Sequence, residues 1–243
     1  MLLRRITEHV KAQNWFAVFL DFAIVVIGIL IAFQITTWNE NRVQREHLGQ
    51  QLASLRVEFE ENLPRFDDYK KNLQSQLDDI NDIRAVLAVE PTAADPGAVD
   101  AIDAKLMNVF RIAVFAPEQK AMEDLTSNGG LRRLSSKEIR DALSEWEQAL
   151  AGLKRLEGDA LNHRNTAFAS YIFGNLSFGA IGENYGLIDS DFAASKFRND
   201  LMLMAQDRVL DNHLVMRYGV NSAVLAYLDE LEHITEKLVL ILK

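Results

Sequence analysis

The residues of this chain that could carry out chemistry are its histidines and its acids. There are five histidines and no cysteine, which excludes disulfides, thiolate metal sites and cysteine nucleophiles. No two histidines have the His-x-x-x-His or His-Glu-x-x-His spacing that binds zinc from one helix. The Glu-x-x-His spacing of di-iron bundles occurs once, at Glu230 and His233, but such a site needs two of these pairs and two further glutamates. The sequence therefore predicts no metal site and no cofactor.

Nucleophile and phosphate-binding motifs are also missing from the sequence. The stretch GNLSFGAIG, residues 174–182, is rich in glycine, but it lacks a lysine and follows a predicted helix rather than a strand. We interpret residues 173–186 as an ordered turn. With no catalytic residues to name, we predict that the protein is not an enzyme.

One acidic residue, Asp21, lies inside a long apolar run. From Trp15 to Trp38 it is the only formal charge, and a helix over this run would be roughly 34 Å long, enough for a bilayer core of about 30 Å. A cleaved signal peptide has a shorter apolar region and a small-x-small cleavage site, neither of which is found here. The run 15–38 therefore predicts a transmembrane signal-anchor helix, with Trp15 and Trp38 as anchors at the two membrane interfaces.

The predicted membrane helix has one small and polar face. Asp21, Gly28 and Ala32 fall on the same stripe, and a small-xxx-small pair lets a second helix approach closely in lipid. We predict that these three residues form a helix interface. Two alternatives stay open: the acid is merely tolerated near the membrane surface, or it carries protons.

The charges that flank the run predict its orientation. Arg4, Arg5 and Lys11 precede it against Glu8 alone, whereas the chain that follows is acidic, which favours residues 1–14 in the cytoplasm. Residues 39–243 would then lie in the periplasm of a bacterium with the helix in its inner membrane. The net charge of −9 argues against a nucleic-acid partner. Membrane lipid and other transmembrane helices are the predicted partners.

Two stretches resemble a known family. The run VVIGILIAFQITTWNENR is similar to the signature of a widespread family of bacterial single-pass membrane proteins of unknown function. The matching positions are Asp21, Ile27 to Ala32, Gln34, and Trp38 to Glu40. Residues 121–147 resemble the middle of the same family. The resemblance implies a single membrane helix and a helical domain, and it implies no activity.

The rest of the chain predicts an all-α domain. After Trp38, apolar residues recur at steps of three and four from Leu48 to Leu87, which indicates a long helix. Pro64 predicts a kink or short break near Asn62, and 89–98 is the clearest loop. Further helices are predicted up to Leu242, one of them starting at a Ser135 to Glu138 capping box. The expected fold is one N-terminal membrane helix followed by an extended bundle of roughly four helices.

Aromatic residues crowd one part of the predicted bundle. Core packing is the commoner cause of such crowding, and a ligand pocket or partner surface is the alternative. The residues are Phe168, Tyr171, Phe173, Phe178 and Tyr185.

Three functional hypotheses follow from these features. The first is a non-enzymatic structural, assembly or interaction subunit of a membrane complex, which the Asp21 face and the missing catalytic motifs favour. The second is a periplasmic sensor or ligand-binding bundle that needs a partner for its output. The third is an ion-coupled subunit that uses Asp21.

Overall fold

The structure is a computed structural model that describes residues 15–89, 96–188 and 191–242. The predicted cytoplasmic residues 1–14 and most of the predicted loop 89–98 lie outside these ranges. Within them the chain is helical with no strand, which confirms the all-α prediction. The helices are α1 (Trp15–Ala88), α2 (Pro96–Phe110), α3 (Lys120–Ser127), α4 (Gly130–Arg133), α5 (Lys137–His163), α6 (Ala169–Asn175), α7 (Phe178–Tyr185), α8 (Leu201–Ala205) and α9 (Arg208–Ile241), with a π-helical turn (Arg164–Phe168) joining α5 to α6.

The chain divides into two compact units, residues 1–52 and 53–243. Within the second unit, the four main helices are α1 from Ala53 onward, α2, α5 and α9. Trp146 of α5 sits at the centre of their core, 1% exposed. Its ring lies 5.2 Å from the ring of Phe59 on α1, and its indole N–H donates to Thr235 Oγ1 on α9 at 3.0 Å. This arrangement confirms the predicted bundle.

The apolar stripe of α1 explains why this part of the chain folds. Its members in the second unit are buried or half-buried, and they recur at the helical spacing that puts them on one side. They are Leu55, Phe59, Leu63, Phe66, Tyr69, Leu73, Leu77, Ile80, Ile83 and Leu87.

Of the kink or short break predicted near Asn62, the break is wrong, and the kink stays a prediction. α1 continues through Pro64, whose missing N–H leaves the carbonyl of Glu60 without its helical partner. Pro64 and Glu60 are both exposed, so water can hydrogen-bond that carbonyl. Asn62 instead faces inward and binds another part of the chain.

Polar side chains of α1 hold an extended segment, residues 111–119, along the helix. Asn62 binds both the N–H and the carbonyl of Glu118, at 2.8 and 2.9 Å. The carboxylate of Glu58 accepts from the N–H groups of Ala121 and Met122 and so satisfies donors in the first turn of α3. These bonds replace the backbone partners that an extended segment without a sheet lacks.

Two boundaries differ from the predictions. The N-cap of α5 is Ser136, whose hydroxyl accepts from the N–H of Ile139, and not Ser135 as the capping box implied. The glycine-rich stretch 173–186 contains helix α7 rather than only a turn. Ser177 caps it at its start, and it ends at Gly186 with a φ of 78°, a left-handed conformation that favours glycine.

Candidate functional site

Most of the described side chains of the predicted membrane helix are exposed. The helix is long and apolar enough to cross a membrane, and none of its most apolar window is buried. In water such a surface would be strongly unfavourable, whereas hydrocarbon accepts it, so the helix indicates membrane anchoring. The exposed large apolar side chains are Phe16, Val18, Phe19, Leu20, Phe22, Ile24, Val25, Ile27, Ile29, Leu30, Ile31, Phe33, Ile35 and Trp38.

The structure places the predicted interface residues on one face. With 3.6 residues per turn, Asp21, Gly28 and Ala32 fall within about 40° of one another around α1, and all three are exposed. A Cβ added at Gly28 would meet nothing within 4 Å. The described part of the first unit therefore leaves this face free for another helix.

Of the two tryptophans predicted as membrane anchors, only Trp38 has a described side chain. Trp38 is 63% exposed, and the guanidinium carbon of Arg42 lies 5.9 Å from the centre of its ring, a cation–π arrangement suited to the headgroup level. Trp15 is the first residue of α1, but its side chain lies outside the described residues.

The described ranges contain no group of three or more His, Cys, Asp or Glu residues that could hold a metal ion. Glu230 and His233, the one pair with di-iron spacing, are both exposed on α9. They have the environment of a solvated helix face.

A buried polar network inside the second unit was not predicted. The hydroxyl of Tyr69 donates to Glu157 Oε1 at 2.7 Å, and the same oxygen accepts from the N–H of Phe115 at 2.8 Å. Burial raises the pKa of Glu157 and that of Tyr69. The adjoining cavity is about 10 Å³, room for no more than a water molecule.

Arg217 is the buried cation of this network, 3% exposed. Its guanidinium donates to the carbonyls of Val109 and Arg111, at the C-terminal end of α2, and to Gln76 Oε1. Burial lowers its pKa to about 10, and the negative end of the α2 dipole favours the charged form. The residue therefore stabilises the end of a helix and is not a free reactive group.

Two histidines, which the sequence did not connect, meet at the π-helical turn. The rings of His163 and His213 lie 5.4 Å apart, and that of His213 lies 5.1 Å from Phe168 and 5.2 Å from Tyr171. Burial lowers the pKa of both imidazoles. The nearby Arg217 lowers the pKa of His163 further. The surroundings of both imidazoles thus favour the neutral form.

The predicted aromatic cluster divides between core and surface. Phe168 and Tyr171 are buried, whereas Phe173 is 62% exposed. Tyr171, Phe173 and Phe178 contribute to the wall of an open groove of about 900 Å³, together with residues of the 195–200 segment, α8 and the start of α9. Part of the cluster therefore belongs to the core, and part of it lines a surface groove.

No known protein family, no curated protein and no solved structure matches this chain. The resemblance of residues 21–40 and 121–147 to an uncharacterised bacterial membrane family thus stays a prediction.

Proposed function

We propose that this protein is a non-enzymatic bitopic membrane protein that acts as a structural, assembly or interaction subunit of a membrane complex. The observation that supports this most directly is the free face of Asp21, Gly28 and Ala32 on an apolar helix. A carboxylate in hydrocarbon is costly unless it is paired, and no described residue hydrogen-bonds to Asp21. Its partner is a polar group of another transmembrane helix.

The proposal includes a location. The excess of basic residues before the helix favours an N-terminus in the cytoplasm of a bacterium, with residues 39–243 in its periplasm. The helix then lies in the inner membrane, where lipid and a second helix are its neighbours.

The test is purification of the tagged full-length protein from its native host in mild detergent, with light scattering for the mass and mass spectrometry for co-eluting proteins. Wild type is expected to elute as a defined complex that dissociates in Asp21→Asn and in Ala32→Leu. The first change removes the charge, and the second fills the space that a neighbouring helix would occupy.

The matched control is Ala23→Leu, because Ala23 lies on the opposite side of the same helix turns. The control is expected to keep the complex. A monomer in wild type, or equal behaviour of Ala32→Leu and Ala23→Leu, would contradict the proposal. A complex that survives Asp21→Asn but loses activity in the cell would favour the ion-coupled alternative.

The groove favours a second candidate, a ligand-binding or sensor module. Its volume of about 900 Å³ is within the range of small-molecule sites. Under this hypothesis Asp21→Asn leaves the complex unchanged, while the full-length protein in lipid nanodiscs binds a small molecule that protects Phe173 and Leu203 from solvent. A ligand screen read by the melting temperature tests it.

A further inference from the structure

The turn that joins α5 to α6 brings two imidazoles together on an apolar floor. Residues Arg164–Phe168 form a π-helical turn, a rare structure that occurs mostly at functional sites. His163 comes directly before the turn, and His213 reaches the same place from α9. The fully buried ring of Phe168 lies 6.5 Å from His163 and 5.1 Å from His213. Such a contact suits two neutral rings and disfavours two charged ones.

Two permanent cations lie beside the pair. Arg164 follows His163 in the chain, and Arg217 lies one helical turn after His213 on α9. Both guanidiniums already lack ideal surroundings. Burial lowers the pKa of Arg217, and the charge of Arg164 lowers it further, while the buried Nε of Arg164 has no hydrogen-bond partner among the described residues. A further cation here is costly, because like charges repel most strongly where little water lies between them.

The carboxylate that acts on the pair, Asp207, is already engaged. It raises the pKa of His213, but its Oδ2 accepts from the hydroxyl of Tyr171 at 2.7 Å. Its Oδ1 accepts from the N–H groups of Val209 and Leu210 in the first turn of α9. Burial raises the pKa of Tyr171, so the phenol stays neutral and remains a donor. Asp207 therefore offsets only part of a positive charge on the pair.

Other acidic groups around the pair are bound elsewhere or exposed to water. Asp211 of α9 pairs with Arg84 of α1 at 2.8 Å, and Glu157 of α5 accepts from Tyr69 of α1. Asp159 lies one turn before the end of α5 and is exposed, so water screens its charge. The end of α2 presents backbone carbonyls at this place. These groups offset little of a charge that the imidazoles would gain.

The pair lies behind one wall of the groove. The ring of His213 is 5.2 Å from that of Tyr171, and both Tyr171 and Asp207 line the groove. The hydrogen bond between these two residues joins α6 to the start of α9. His163 and His213 are half-buried, so protons reach them from the solvent. A change of charge at the pair therefore acts directly on the contact that forms this wall.

We propose that His163 and His213 form a pH-sensitive latch between α6 and α9. At neutral pH the uncharged rings pack on Phe168 and hold α6 against the start of α9, which completes this wall of the groove. In acid the charged rings repel each other and the two guanidiniums, and the π-helical turn and α6 separate from α9 while the core around Trp146 stays folded. Histidine suits such a switch because its charge changes between pH 5 and 8. The latch belongs to the second unit alone and goes beyond the proposed assembly role.

The experiment is hydrogen–deuterium exchange of the full-length protein in lipid nanodiscs at pH 7.5 and 5.5, with labelling times adjusted for the slower chemical exchange at the lower pH. Peptides from residues 164–175 report on the latch, and peptides from residues 142–153 report on the core. Protection of the latch is expected to fall by up to about tenfold for each histidine, the ratio that an ordinary pKa of 6.5 in the open form gives over this range. At pH 5.5 the latch is expected to be at least about tenfold less protected than the core.

Substitutions of three histidines separate the latch from a general effect of acid. The His163→Gln/His213→Gln double variant is expected to lose the fall in protection of residues 164–175, and His213→Gln alone is expected to lose about tenfold less than wild type. His233→Gln is the matched control, because His233 is an exposed histidine of the same helix α9. It is expected to keep the whole fall. The melting temperature at pH 7.5 identifies any variant that has lost its fold, and the single variant then decides.

Three results would overturn the proposal. The first is equal protection of the two groups of peptides at pH 5.5, which would mean that the whole unit opens at once. The second is a fall in protection that persists in both His213→Gln and the double variant, and the third is no fall in wild type. These results are independent of the membrane face, whose failure shows as a complex unchanged by Ala32→Leu.

Discussion

The acidic residues of the two units differ in their hydrogen bonding. Asp103 and Glu157 in the second unit are buried, and each accepts two hydrogen bonds from groups of the same chain. Asp21 in the first unit is exposed on an apolar helix and receives none from the described residues. A carboxylate away from water needs partners in either setting. The comparison teaches that the second unit supplies the hydrogen-bond partners of its own buried carboxylates, whereas the described residues supply none to Asp21.

The largest expected effect in the second unit comes from its central tryptophan. Trp146→Ala removes the contact with Phe59 and leaves the hydroxyl of Thr235 without the indole donor. The expected loss is about 3–5 kcal/mol in the free energy of unfolding, measured by chemical denaturation in detergent. Leu30→Ala in the membrane helix, where nothing is buried against the side chain, is expected to leave this unfolding transition in place. A similar loss in both variants would break the distinction between the units.

Substitutions at Glu157 and at Asp21 test the difference between the two carboxylates directly. Glu157→Ala leaves the hydroxyl of Tyr69 and the N–H of Phe115 without this acceptor, at a cost of about 1–3 kcal/mol. Glu157→Gln keeps an acceptor oxygen and is expected to lose less. Asp21→Asn is expected to leave the thermal unfolding of the second unit unchanged while it disrupts the complex. If Asp21→Asn instead lowers that melting temperature, the two sites are not independent.

The histidine pair predicts how the second unit responds to pH. The folded-state pKa of His163 and that of His213 lie below the ordinary value, so the folded state binds fewer protons than the unfolded one. Their contribution to stability is complete above pH 6.5 and is lost as the pH falls through that value. Three charged groups lie near the pair. Asp207 raises the pKa of His213 and so offsets part of its shift, whereas Arg217 lowers the pKa of His163 further. Arg164 acts on Arg217, whose pKa it lowers.

The buried acids act in the opposite direction, because burial raises the pKa of Glu157 and that of Asp103. The measurement is therefore the melting temperature of wild type against the His163→Gln/His213→Gln double variant between about pH 7.5 and 5.5, a window set by the ordinary histidine pKa. Wild type is expected to lose more stability than the variant over this range. Parallel curves would show that the pair does not titrate with unfolding.

The smallest effect is expected at a surface ion pair. Arg84 and Asp211 join α1 to α9 at 2.8 Å, but both side chains are about half exposed. Arg84→Ala is expected to change the free energy of unfolding by less than about 1 kcal/mol, and less again in high salt. A salt series of the melting temperature for both proteins checks this prediction.

Much of the fold could be predicted because the apolar residues on the buried side of a helix recur every three or four positions. The stripe from Leu55 to Leu87 was expected, and the structure has it as the buried and half-buried side of α1. The choice between Ser135 and Ser136 as a cap was wrong, because the two neighbouring hydroxyls cannot be told apart without the backbone conformation. The helical period places Asp21, Gly28 and Ala32 on one face, but an interface at that face stays a prediction.

The parts that could not be predicted depend on long-range polar contacts. Glycine between residues 174 and 182 suggested a turn, but Gly179 makes room for Ser195 rather than for a change of chain direction. His163 and His213 are 50 positions apart, and no local pattern connects them. The one signal that could have been used is polar: Glu58, Asn62 and Tyr69 share the inward spacing of the apolar stripe, which marks residues with partners to find.

The extended segment 111–119 has a consequence for how this protein can vary. α1 binds the segment through its backbone, at the carbonyls of Arg111, Ala113 and Ala116 and at both backbone groups of Glu118. Backbone groups are the same in every residue except proline, so exposed positions such as Val114 are free to change. At these hydrogen bonds the specificity is stored in the helix, so substitutions at Asn62 or Gln76 carry a cost that substitutions at exposed positions of the segment do not. The exception in the segment is Phe115, whose buried ring packs on Phe66 and Tyr69.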